Sequence, residues 1–83
     1  MTHYLVLGAG LQGTAAVYDL VKNCGAELVT WLEVDSGRLE AGLRRMERLG
    51  ISKGLRGQSL DVNDHRALQP HFGEADVCVN ALP

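Results

Sequence analysis

Gly8-Ala9-Gly10-Leu11-Gln12-Gly13 places three glycines within six residues in the pattern G-x-G-x-x-G. Such a string can bring backbone N–H groups against a phosphate. Gly8 allows a tight turn, Gly10 lets a pyrophosphate approach the backbone with no Cβ in the way, and Gly13 lets the following helix pack closely. A helix that starts at Leu11 presents unsatisfied N–H groups and a partial positive charge to the anion. Gln12 adds its backbone N–H and can turn its amide toward the same oxygens.

The second requirement of this chemistry is an acid at the end of the next strand. Glu33 lies 20 residues beyond Gly13, the separation the fingerprint asks for. Its carboxylate can accept hydrogen bonds from the hydroxyls of an adenosine ribose. A 2′-phosphate there would meet it as a like charge, and two such charges ~4 Å apart repel by about 4 kcal/mol at an effective dielectric near ~20. No arginine follows Glu33 directly, and Arg38 is the nearest one, a turn into the next helix. The residues therefore favour NAD over NADP. The plain alternative is a glycine turn that only joins strand to helix, with a surface glutamate beside it. Context favours the nucleotide, because an apolar strand precedes the turn and an amphipathic helix follows it.

Alternating periods in the pattern supply the elements that would position these residues. Tyr4–Leu7 is a short apolar run ending at Gly8, which suits a strand buried on both faces. From Leu11 the period becomes helical, with Ala16, Leu20 and Cys24 on one line and Val17 and Val21 widening it. Gly25 is placed to end that helix in a left-handed conformation. Leu28–Leu32 is the second strand. Asp35 or Ser36 can cap a second helix that carries Leu39, Leu43 and Met46 and stops at Gly50. A loop with Gly54 and Gly57 leads to a third strand at about Gln58–Val62. Asn63 or Asp64 opens a short helix with Ala67, Leu68 and Phe72, which Pro70 is expected to kink or restart. Ala75–Asn80 closes the series as a fourth strand, expected to be buried.

This β-α-β-α-β-α-β alternation implies an α/β fold with a parallel sheet, in the order 3-2-1-4. It is the first half of a doubly wound, Rossmann-type sheet plus the strand that opens the second half. Residues 1–83 then form one unit, the N-terminal part of a dinucleotide-binding domain, truncated after the fourth strand. Asp61, at the end of the third strand, can either contact an adenine ring or cap a turn.

Composition narrows the remaining classes. The 83 residues are 46% hydrophobic and 22% charged, an ordinary globular balance. Eight basic against ten acidic residues give a net charge of −2, a poor start for a nucleic-acid binder. No apolar run approaches the ~18 residues of a membrane span, and Met1-Thr2-His3 offers no basic leader segment. Cys24 and Cys78 are far apart and form no CxxC, as thiols of a reducing compartment do, so the expected location is cytoplasmic. His65 and His71 are six apart and lack partners at metal spacing, so no metal site is expected. Arg44, Arg45 and Arg48 form a basic stripe assigned to a solvated face turned away from Leu39, Leu43 and Met46. Cys78 is assigned to packing in the buried fourth strand.

The run VLGAGLQGTAAVYDL, within Leu5–Leu20, resembles the opening of the saccharopine dehydrogenase family, including its lysine-dehydrogenase-like members. The closing segments LDVNDHRAL and GEADVCVNALP are similar to that family's third strand, helix and fourth strand. The resemblance implies a Rossmann cofactor domain of an oxidoreductase acting on a carbon–nitrogen bond of an amino acid or its imine adduct. It carries cofactor contacts onto Gly8, Gly10, Gly13, Glu33, Asn80 and Ala81. Val17 departs from the family's usual alanine and is expected to push the helix slightly off the sheet.

The stop at Pro83 makes the chain, on this reading, a piece without catalytic residues, without the second half of its domain and without a substrate domain. Its fourth strand would then be a free sheet edge, and self-association through that edge is expected. A regulatory nucleotide-sensing module of the potassium-transport type shares the glycine turn, the acid and an acidic third-strand end. It stands as the alternative function. A methyltransferase fits less well, since the acid those sites place before the first glycine is here Leu7. A flavin enzyme shares the glycines and the acid but connects its strands differently after the second.

Overall fold

A computed structural model describes residues 2–82. The elements run β1 (His3–Leu7), α1 (Leu11–Lys22), β2 (Leu28–Glu33), α2 (Ser36–Arg48), β3 (Leu55–Ser59), α3 (His65–Glu74) and β4 (Val77–Asn80). The sheet is parallel throughout, in the order β3-β2-β1-β4. Leu7 pairs with Leu32 on one side and with Asn80 on the other, and Glu33 pairs with Ser59. The three strand ends that follow Leu7, Leu32 and Asn80 therefore meet at one carboxyl edge.

The alternation of side chains along a strand sends successive residues to opposite faces. Val6, Val29 and Trp31 pack with Val17 and Leu20 of α1 and with Leu39 and Met46 of α2. Leu5, Leu7 and Leu32 pack on the other face with Leu68 of α3. The two central strands are thus covered on both sides, as their unbroken apolar runs require.

Local signals fix the ends of the helices. Asp35 caps α2, its carboxylate accepting from the Arg38 N–H at 3.1 Å, and Asp64 caps α3 through the Ala67 N–H at 3.3 Å. Gly25 and Gly50 follow α1 and α2 with φ of 65° and 87°, the left-handed conformation that ends a helix cheaply. At the amino edge of the sheet His3 bonds Thr30 and the Glu74 carbonyl, while Arg56 bonds both Thr30 and the Glu74 carboxylate. That cluster ties β1, β2, β3 and the end of α3 together opposite the glycine turn.

Several expectations are corrected. β3 is Leu55–Ser59, not Gln58–Val62, because Gly57 belongs to the strand rather than to the loop before it. A Cβ at Gly57 would sit 2.8 Å from Leu43 Cδ1, so the glycine marks where α2 lies against β3. The buried line of α1 is Gly13, Val17 and Leu20, and Cys24 lies exposed beyond the helix. Val17 is fully buried, and α1 still seats closely enough for Gly13 to touch the end of β1. α3 runs through Pro70 without a break, anchored by buried Leu68, and Phe72 remains 48% exposed. β4 starts at Val77 rather than Ala75 and is not buried, since it pairs with β1 alone and occupies an edge. Cys78 is accordingly exposed, and its partial burial raises its thiol pKa. Less thiolate at neutral pH makes it a poorer nucleophile, and its exposure removes the packing role.

No helix among the described residues is long and apolar enough to cross a membrane. No group of three or more His, Cys, Asp or Glu side chains gathers there as a metal site.

Glycine packing under α2 gives a direct test. A Cβ at Gly42 would lie 2.6 Å from Cη2 of buried Trp31, whereas one at Gly73 meets nothing within 4 Å. Gly42→Ala is expected to cost about 2 kcal/mol of stability and Gly73→Ala to gain about 0.5 kcal/mol, read from thermal or urea unfolding.

Candidate functional site

The apolar run of β1 ends at Gly8, whose φ of 101° turns the chain sharply out of the strand. The Gly8 N–H donates to Leu32 O at 2.8 Å and the Ala81 N–H to Leu7 O at 2.9 Å, so the turn emerges between β2 and β4. A Cβ at Gly8 would lie 2.8 Å from Ala81 O, so the chain after β4 backs the turn directly. Asn80, beside it, uses its Oδ1 to accept from the Leu82 N–H at 3.0 Å.

The three glycines divide the work as their spacing suggests. Gly8 makes the bend. A Cβ on Gly13 would overlap Gly8 O, so the first turn of α1 rests against the end of β1. Around Gly10 the same construction meets nothing within 4 Å, which leaves its backbone open on the outer side.

Gly10 is also the N-cap of α1, with no side-chain cap and no acidic residue in the first turn. Thr14 is the first amide that bonds back along the helix, to Gly10 O at 3.0 Å. The N–H groups of Leu11, Gln12 and Gly13 have no acceptor among the described residues. A helix start with free donors and no local carboxylate is the arrangement that binds an anion. Leu11 and Gln12 are exposed, and the Gln12 side chain makes no hydrogen bond among the described residues.

Glu33 comes to this same bend from β2. It is 4% exposed, and its Oε1 accepts from the Ala9 N–H at 2.7 Å. Its Oε2 accepts from the Asp35 N–H at 2.9 Å. Each carboxylate oxygen keeps a further lone-pair direction for another donor. Val34, which follows, is 61% exposed and carries no charge.

Asp61 lies past the end of β3, and its Oδ1 accepts from the Asn63 N–H at 2.9 Å. The carboxylate therefore caps a turn on the β3–α3 connection, one of the two roles open to it. Among the candidate residues, Gly8, Gly10, Leu11, Gln12, Gly13, Glu33 and Ala81 converge on one bend, while Asp61 and Asn80 each cap the loop beside it.

The spacing of Trp31 does not single it out, yet it is part of the bend. The fully buried indole donates Nε1–H to Gly8 O at 2.7 Å. Two features of the sequence point there in retrospect. Trp31 lies two residues before Glu33, hence on the same strand face. A buried indole N–H also needs an acceptor.

Arg44, Arg45 and Arg48 are all exposed, as expected of a solvated face. Arg45 and Arg48 also join Arg38 along a groove of about 850 Å³ between α1 and α2, whose lining reaches Gly10 and Leu11. Met46 lies in its floor, so part of the stripe follows the helix seam instead of the outermost face.

Gly10 and Gly13 separate binding from folding. Gly13→Ala is expected to lose about 3 kcal/mol, because the added methyl meets backbone that cannot move aside. Gly10→Ala should stay within about 0.5 kcal/mol of the parent in the same urea titration. Equal losses would contradict the close seating of α1.

Residues 4–83 match the family model described as the saccharopine dehydrogenase NADP binding domain. No solved structure matches the chain.

Proposed function

The chain belongs to the family of saccharopine dehydrogenase NADP-binding domains, and from that membership and the geometry of the turn we propose that it binds NAD as the cofactor-holding portion of an oxidoreductase acting on a C–N bond of an amino acid. The observation that carries the binding part is the convergence of an uncapped helix start and a buried carboxylate on one glycine bend.

The bend can be assigned role by role. The Leu11, Gln12 and Gly13 amides would donate to diphosphate oxygens, and the bare backbone at Gly10 would let them come close. Glu33, already accepting from two backbone amides, would use its remaining lone pairs for ribose hydroxyls. Asn80 and Ala81 would border the path of the dinucleotide across the end of β1. Asp61 would flank the adenine side from the β3–α3 turn. A bound nicotinamide supplies hydride chemistry, and this chain's residues hold and orient it. None of the residues at the turn is placed as an acid, base or nucleophile for a substrate. The C–N assignment rests on the family alone.

The choice between NAD and NADP turns on charge. The family description names NADP, and Arg38 lines the groove that opens at the turn. Against this stand the Glu33 carboxylate at the strand end and the uncharged Val34 after it. A 2′-phosphate would approach a carboxylate that two backbone donors hold in place. We therefore assign the preference to NAD. The potassium-transport type of regulatory module shares the fold, but no feature of the turn favours it over the enzyme family.

Calorimetric titration tests both statements. NAD is expected to bind about tenfold or more tightly than NADP, and Gly10→Leu to abolish binding of either while leaving the melting curve intact. Tighter NADP binding would reverse the cofactor assignment. Unchanged binding by Gly10→Leu would remove the turn from the site.

A further inference from the structure

Trp31 and Glu33 grip opposite ends of a single peptide unit. The indole N–H donates to Gly8 O at 2.7 Å, and the carboxylate accepts from Ala9 N–H at 2.7 Å. Gly8 O and Ala9 N–H belong to the same planar group, so fixing both ends fixes its orientation. We propose that Trp31 is a positioning residue for the diphosphate-binding amides: its indole N–H holds the Gly8–Ala9 peptide in the orientation that aims the amides after it outward. This rests on the dinucleotide reading of the turn.

Exclusion fixes this peptide as much as attraction does. Gly8 is free of the Cβ restriction that would otherwise fix its backbone, so this peptide has an accessible flipped form. Flipping it would point Gly8 O at the Glu33 carboxylate and present Ala9 N–H to the indole N–H. Acceptor would face acceptor and donor would face donor, in a buried setting where unpaired polar groups are costly. Both side chains therefore select one orientation. The carbonyl also fills the space under α1, since a Cβ on Gly13 would overlap it.

The indole itself is backed by α2. Gly42 lies so close that a Cβ would be 2.6 Å from Trp31 Cη2 and 3.0 Å from Cζ3. A chain of contacts thus runs from α2 through the ring to Gly8 O and on to the start of α1. The fully buried Trp31 ring would not itself touch the cofactor, which distinguishes it from Glu33.

The chain has one tryptophan, so its indole N–H gives one assignable resonance. In a titration of the ¹⁵N-labelled full chain with NAD, the Trp31 indole resonance is expected to move with the same midpoint as the Gly10–Gly13 amides. Trp31→Phe, which keeps an aromatic ring but loses the donor, is expected to bind NAD about tenfold more weakly. Replacing Trp31 by biosynthetic 5-fluorotryptophan retains the N–H and should preserve the affinity. An indole resonance that stays still while the turn amides shift would overturn the proposal, as would a folded Trp31→Phe that binds like the parent. Should Trp31→Phe not fold, the resonance of the unaltered protein decides alone. If no amide from Gly10 to Gly13 responds to NAD, the dinucleotide reading fails, and the proposal with it.

Discussion

The buried carboxylate of Glu33 is the constraint on which the site depends. It lies at the end of a central strand, where two chain segments leave the sheet and their amides have lost strand partners. By accepting from Ala9 and Asp35 it satisfies one orphan amide on each segment. Hydrogen bonds to a charged group contribute roughly 1.5–3 kcal/mol each, and an anion removed from water needs such donors to be tolerated. The same two bonds fix where the glycine turn sits relative to the end of β2. In the proposed site, structure and binding would share this one side chain.

The rest of the fold serves that placement. β1 and β2 are central because their runs are apolar on both faces, and α1, α2 and α3 cover those faces. α1 can start directly over the bend only because Gly13 lacks a Cβ. α2 can press on the indole only because Gly42 does. The glycines outside the fingerprint thus belong to the same design: Gly42 and Gly57 let α2 lie close to β2 and β3. Gly10 differs from these in meeting no neighbour, and it stands where the free amides of α1 begin.

Strand order, a cap for α2 at Asp35 or Ser36 and for α3 at Asn63 or Asp64, and the approach of Glu33 to the turn are legible in the sequence. Each is set by a local rule or by a period that side chains obey regardless of context. The position of the third strand is not legible, because glycine is an ordinary loop signal and only the α2 seam shows that Gly57 serves packing. The exposure of Cys78 is hidden for a related reason: apolar β4 resembles an interior strand, but the order β3-β2-β1-β4 puts it at an edge. Pro70 looked like a break, yet Leu68 and the Asp64 cap hold α3 through it. The role of Trp31 is not legible, because an indole in a buried strand is usually just core, and its hydrogen bond depends on a carbonyl exposed only by the turn.

Membership of the family accounts for the fold and for a nicotinamide dinucleotide as ligand. The chemistry at a substrate is a separate matter, for which the roles proposed at the bend are only binding and orientation. The Glu33 carboxylate joins the glycine turn to the β2–α2 connection. This is tested most directly by comparing the Ala9 and Asp35 amide protons of the parent and Glu33→Ala by NMR. Both amides are expected to move upfield and to exchange faster with solvent in the variant, because each loses its acceptor. An Ala9 amide with unchanged shift and exchange in a folded Glu33→Ala would contradict this joint.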